Sequence, residues 1–280
     1  MMVEAGEVLA FHREITAAPS VSGSEKHLAD FLEGTLFDSR AAVKRINNSL
    51  LATLGTGPLL LLDTHIDTAP PGRGWTRHPH QVEVIDGRVY GLGATDAKAS
   101  VVAMTAAFLR YEEARIPVTL ALALVEGGEC RGIATEQVLE VLNAEGRQPV
   151  AAVIGEPTDL NIAVAQKGQL NPGAEGDARP AAGARSKVEV ASKRLEPRET
   201  ALEEIIVEAA VRARPGGAVY GSTALSDLVF MKGIPAVECG PGRPERSHTP
   251  DEFVLESEIL DGVQFYLDLI HNFIQRLKNP

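Results

Sequence analysis

Residues 59–72 read LLLLDTHIDTAPPG. Four consecutive leucines suit a strand covered on both faces, as in the middle of an α/β sheet. The run ends in Asp63, His65 and Asp67 at alternate positions, and alternate residues of an extended segment share a face. Ionisable groups at the end of a buried strand are costly unless they pair or hold a metal ion. The rest of the chain must supply a sheet around this strand and partners for these side chains.

Periodicity supplies the sheet. Apolar spacing predicts helices over 3–17 and 25–37, the second behind Ser22-Gly23-Ser24-Glu25, which fits a capping box. Short strands are expected at 42–46, 50–54 and 58–63. Segments 81–85 and 88–92, joined by Asp86-Gly87, carry a hairpin signal. A helix over 95–111, a buried strand over 118–125, a helix over 132–144 and strands at 150–154 and 162–166 follow. Further on come helices over 200–213 and 223–231, a strand at 235–239 and a last helix over 257–277. Strands alternating with helices argue an α/β fold, a three-layer sandwich around a mixed, largely parallel sheet.

The rhythm breaks once. Residues 169–200 are rich in Gly, Ala, Pro and charge, with only 188–190 hinting at a strand. That is the composition of a linker or mobile loop. Residues 1–168 and 201–280 are therefore expected to be two parts of one domain, joined by 169–200.

Composition bounds the function. The 280 residues are enough to bury a substantial core, and 44% hydrophobic with 23% charged content is ordinary for a soluble globular protein. A formal net charge of −11 argues against a nucleic-acid binder, which needs clustered Lys and Arg. No segment approaches the ~18 apolar residues of a membrane span. Glu4 and Glu7 stand where a secretory signal would be basic. With only Cys130 and Cys239, a disulfide scaffold is implausible. A cytoplasmic location is expected, with neither nucleic acid nor membrane as partner.

In open α/β sheets, ligands bind beyond the carboxyl ends of the strands. His65 and Asp67 follow strand 58–63, and Asp96 follows the hairpin. Glu126 and Glu129 follow strand 118–125, Glu156 follows 150–154, and His248 comes after 235–239. Singly, each has a bland reading: a hydrogen-bonded histidine, a helix N-cap at Asp96, a turn at Glu156. Together they make the nitrogen and oxygen donor set suited to Zn²⁺.

The segments DTHIDTAP at 63–70, YGLGATDAK at 90–98, VEGGE at 125–129, IGEPT at 154–158 and STALSDLVFMKGIPAVECGPG with SHTPDEF across 222–253 occur in an order that resembles the M20 family of metallopeptidases and amidohydrolases. The resemblance implies a zinc-exopeptidase-like fold and hydrolysis of amide bonds in N-acyl amino acids or small peptides. It implies that His65 binds one metal and His248 the other, with Asp96 bridging and Glu156 completing the first site. Asp67 would orient His65, and Glu126 would be the general base. Zinc is the implied ion, in one tight site and a second weaker one, with Co or Mn able to substitute.

Two departures follow from the same resemblance. The family places two adjacent Glu after the strand at 118–125, a base and then a ligand. Counted without a gap, the base falls on Glu126 and the ligand on Gly127, unless Glu129 reaches in from the loop. With a shortened loop, Glu129 and Cys130 take the two places. The family also inserts a lid domain after the strand matching 162–166, which mediates dimerisation and supplies substrate-binding His and Arg. Residues 169–200 stand in its place, so a monomer is expected. Lys98, Arg243 and Arg246 are candidate anchors for a substrate carboxylate by position, each with the bland reading of a solvated surface charge. The rival from another class is a catalytically impaired metal-binding homologue acting through a partner. A metallophosphatase is disfavoured because no basic cluster awaits a phosphate.

Overall fold

The computed structural model describes residues 4–111, 116–129, 133–168 and 196–278. Six helices appear among them: α1 (Ala5–Ala17), α2 (Lys26–Phe37), α3 (Lys98–Arg110), α4 (Ala134–Ala144), α5 (Ile205–Ala213) and α6 (Glu256–Lys278). The strands are β1 (Ala42–Ile46), β2 (Ser49–Gly55), β3 (Leu59–His65), β4 (Glu83–Ile85), β5 (Arg88–Tyr90), β6 (Thr119–Val125), β7 (Pro149–Ile154), β8 (Ile162–Gln166), β9 (Arg198–Glu199), β10 (Val219–Ser222), β11 (Ala236–Glu238) and β12 (Phe253–Leu255).

Nine strands form one mixed sheet in the order β1-β2-β6-β3-β7-β11-β8-β10, with β9 beside β8. The pairs β6–β3, β3–β7, β7–β11 and β8–β10 are parallel. Strand β3 lies between β6 and β7 and is wholly buried, as its leucine run requires. Its alternate residues serve different cores. Leu60 and Leu62 join the large cluster against α1, α2, α3, α5 and α6, while Leu59 and Leu61 join a smaller one with Val138 and Leu142 of α4. Helices thus cover both faces, giving three layers. The strand β11, from the segment beyond 200, sits between β7 and β8 from the segment before 169, so both segments build the same sheet.

The expected hairpin is present as β4 and β5, and β12 extends it to a separate three-stranded antiparallel sheet. Three local expectations differ. In place of a helix over 223–231 the chain forms only a short 3₁₀ turn at Asp227–Phe230, just after β10, where the Ser226 hydroxyl accepts from the Leu228 N–H. The helix expected from 95 starts at Lys98, leaving Thr95 and Asp96 in the preceding loop. Strand β9 lies inside the stretch expected to be linker, paired antiparallel with β8; the strand hint at 188–190 lies outside the described residues.

Candidate metal centre

The carboxyl end of β3 delivers His65, 5% exposed, to the head of the sheet. Its Nδ1 lies 3.2 Å from Asp67 Oδ1, and its Nε2 lies 3.2 Å from Asp96 Oδ1 and 3.8 Å from Glu156 Oε1. The other oxygen of Asp96 lies 3.4 Å from His248 Nε2, which is 2.9 Å from Glu129 Oε1. Two donor trios result, His65–Asp96–Glu156 and Asp96–Glu129–His248, and they share Asp96. Each trio offers one nitrogen and two carboxylates within 4.8 Å of one another, a donor set and spacing that fit a divalent ion such as Zn²⁺.

The carboxylate of Asp67 is fully buried and saturated. It accepts from the Ser22 hydroxyl (2.6 Å), the Gly128 N–H (2.8 Å) and the Glu129 N–H (3.1 Å) while facing His65 Nδ1. This fixes the ring and leaves Nε2 turned towards Asp96 and Glu156. The partners also set the charges. Burial alone would lower the His65 pKa, but Asp67, Asp96 and Glu156 raise it well above the usual value. Burial would raise Asp96, yet the bonds from His248 and His65 hold it below the carboxylate range. Asp96 and Glu129 push His248 up to about 10, and burial, with Asp96 and Glu238 nearby, raises Glu156. The imidazolium protons that balance these carboxylates are the ones a divalent cation would displace on binding.

Asp63 takes no part in either trio. Thr135 Oγ1 of α4 lies 3.0 Å from its Oδ2 and 2.8 Å from Asp227 Oδ2. Burial raises the pKa of both acids, and their mutual repulsion adds to it at Asp63.

The loop after β6 carries Glu126 and Glu129, the two candidates for the base. Gly127 has a φ of +69°, and a Cβ on Gly128 would lie 2.4 Å from the Cβ of His65. The two glycines let the backbone lie against the histidine and point the Gly128 and Glu129 amides at Asp67. Glu129 then turns into a cavity of about 300 Å³ bounded also by His65, Asp96, Glu156 and His248. Glu126 is half-buried at the end of β6, its N–H donating to Ser49 Oγ, and does not line that cavity. Cys130 lies outside the described residues.

Sequence reasoning missed several contributors. Glu252 of SHTPDEF is buried and accepts from the N–H groups of Gly93 (2.9 Å), Thr95 (2.9 Å) and Asp96 (3.0 Å), pinning the loop that carries Asp96. Glu238, at the end of β11, lines the cavity and accepts from Ser226 Oγ at 2.7 Å. A carboxylate in a motif quoted for its histidine was the available signal for Glu252. Of the suggested anchors, Lys98 is 1% exposed with its Nζ donating to the Ala18 carbonyl, and burial lowers its pKa to about 7. It is neither a surface charge nor an anchor. Arg246 pairs with Glu258 at 2.6 Å and lies over the Phe253 ring, while Arg243 is exposed, 4.0 Å from Asp159.

Residues 61–272 match the sequence profile of peptidase family M20/M25/M40. A succinyl-diaminopimelate desuccinylase of Wolinella succinogenes is 32% identical over 175 residues, covering 59% of this chain and 47% of that protein. The chain thus spans about half the length of the curated relatives it matches. Among solved structures, an M20 family metallo-carboxypeptidase of Sulfolobus solfataricus superposes with a TM-score of 0.76 at 14% identity, covering 96% of this chain and 99% of that one. Human carnosine dipeptidase 1 gives 0.79 at 13%, covering 97% of each chain. At those identities the likeness concerns the fold.

Proposed function

Since the chain belongs to the M20 peptidase family, we propose that it is a zinc-dependent hydrolase of amide bonds in N-acyl amino acids or small peptides, acting in the cytoplasm. The observation that carries this reading is the complete donor trio His65–Asp96–Glu156 at the carboxyl ends of the strands, with Glu129 and His248 facing it across the shared Asp96. A divalent ion held there polarises an amide carbonyl and brings the pKa of water towards neutrality. His65, Asp96 and Glu156 would hold the tighter ion, and Asp67 keeps His65 in the orientation such an ion needs. His248 and Asp96 would offer the weaker position.

The general base is assigned to Glu129 in preference to Glu126, because Glu129 faces the cavity and Glu126 does not. Glu129 takes a proton from the attacking water and returns it to the leaving amine. Its bond to His248 holds the carboxylate over the cavity between turnovers. Because a base cannot also be a permanent ligand, one tight ion per chain is expected. The test is a metal count after dialysis beside an activity screen on N-acyl amino acids and dipeptides with added Zn²⁺ or Co²⁺. Metal-dependent turnover with nearer one ion than two supports the reading. Failure to bind zinc sinks it, and binding without turnover of any amide returns the chain to the non-catalytic rival.

A further inference from the structure

Asp96, Glu129 and His248 line two cavities. One is the acidic cavity already described; the other, of about 230 Å³, is lined also by Ala69, Pro70, Trp75 and Leu92. Charged groups reach this second cavity at the shared end, plus Glu252, whose two oxygens are occupied by three backbone N–H groups. Away from that end the walls are mainly apolar. Thr68 also lines it, and its buried hydroxyl has no hydrogen-bond partner. The volume is below the ~300–1,000 Å³ that encloses a whole drug-sized ligand, so it suits one side group.

We propose that this second cavity is the subsite for an apolar side group of the substrate, an aliphatic or aromatic acyl chain or amino-acid side chain. The scissile amide then lies across Asp96, Glu129 and His248, with the remainder of the substrate in the acidic cavity. This rests on the amide-hydrolase reading and narrows its substrate class. Occupancy of an apolar pocket by a matching group is worth about 10–200-fold in discrimination per methylene, so substrates with glycyl or acetyl groups at this position are the poor ones.

Trp75 is the only tryptophan in the chain, so its emission reports occupancy of the pocket without any turnover. The zinc-loaded protein is titrated with glycine, L-leucine and L-phenylalanine, and separately with acetate, 4-methylpentanoate and 3-phenylpropanoate. In one series the apolar members should shift the emission and bind at least about tenfold tighter than the smallest member. The series that responds tells whether the pocket takes the amino-acid side chain or the acyl chain. No shift in either series, or equal binding of the small and apolar members, overturns the proposal. Ala69→Phe, at a half-exposed position, should fill the pocket and abolish the response, and a response that survives it refutes the assignment. Leu92→Ala should move the preference from leucine towards phenylalanine, or from the shorter to the longer acid. A saturable emission response from protein that turns over no amide would count against the catalytic reading alone.

Discussion

Replacing Glu252 by Gln tests whether one carboxylate organises the loop that carries Asp96. In the wild type Oε1 accepts from Thr95 and Asp96 and Oε2 from Gly93, all at 2.9–3.0 Å. A hydrogen bond to a charged acceptor contributes about 1.5–3 kcal/mol. Gln keeps one oxygen for two of these donors, at neutral strength, and turns an amide N–H towards the buried Gly93 N–H. One bond is lost and two are weakened, offset by relief of a buried charge, since burial raises the Glu252 pKa to about 7. The net loss should be about 2 kcal/mol at pH 8, where the carboxyl is ionised. For a chain of this size that is a fall in Tm of about 4–8 °C. The assay is thermal unfolding by circular dichroism at pH 8 with chelator, so bound metal contributes nothing, alongside amide exchange at residues 93, 95 and 96. Those three amides should exchange faster, and zinc affinity in the loaded protein should fall because Asp96 is less well placed. An unchanged Tm with unchanged protection at all three amides would refute the argument.

Glu129→Gln should reduce turnover by about 10²–10⁴-fold with the tight zinc retained, whereas Glu126→Gln should leave activity within a few-fold; the opposite ranking moves the base to Glu126. His12 is buried with its Nε2 2.8 Å from the Ala94 carbonyl, and burial lowers its pKa to about 4. The unfolded chain takes up that proton near pH 6.5 and the folded one only near 4, so stability should fall as pH drops through this window, by roughly 3 kcal/mol in all. Urea unfolding of His12→Gln should show a flatter acid profile, and an unaltered slope would contradict this. Proteolytic cleavage within 169–195 should give fragments that co-elute, because β11 is held between β7 and β8; separable folded fragments would argue for two domains.

Much of the fold was legible because each major signal is local. The leucine run, the Asp86-Gly87 turn and the long amphipathic stretch of α6 announce themselves within a few residues. His65, Asp67, Asp96, Glu156 and His248 were legible as a group because strand ends converge in an α/β sheet, so position in the chain stands in for position in space. That Glu129 and not Glu126 lines the cavity was not, since it turns on how closely Gly128 packs against His65, a contact between residues 63 positions apart with no periodic signature. The helix expected over 223–231 failed where the Ser226 hydroxyl caps a 3₁₀ turn, and the strand Val219–Ser222 before it, paired with β8, was not foreseen. A four-residue strand at a sheet edge, exposed at Val219 and Gly221 and buried only at Ser222, leaves little hydrophobic pattern to read. Lys98 was misjudged because a lysine reads as surface unless the surrounding fold is known.

The alternating burial of β3 has a mechanical consequence. The strand is a beam clamped by neighbours on both edges and by a separate packed layer above and below, and His65 is its tip. Displacing that tip requires two independent cores to yield together, and close-packed interiors are stiff. Asp96, Glu129 and His248 instead ride on loops, of which the one bearing Asp96 is anchored by Glu252 and the one bearing Glu129 by Asp67. The centre therefore has one fixed jaw and one adjustable jaw. Adaptation to substrates of different shape should come from the side of His248, itself 55% exposed, while the His65 side keeps its geometry.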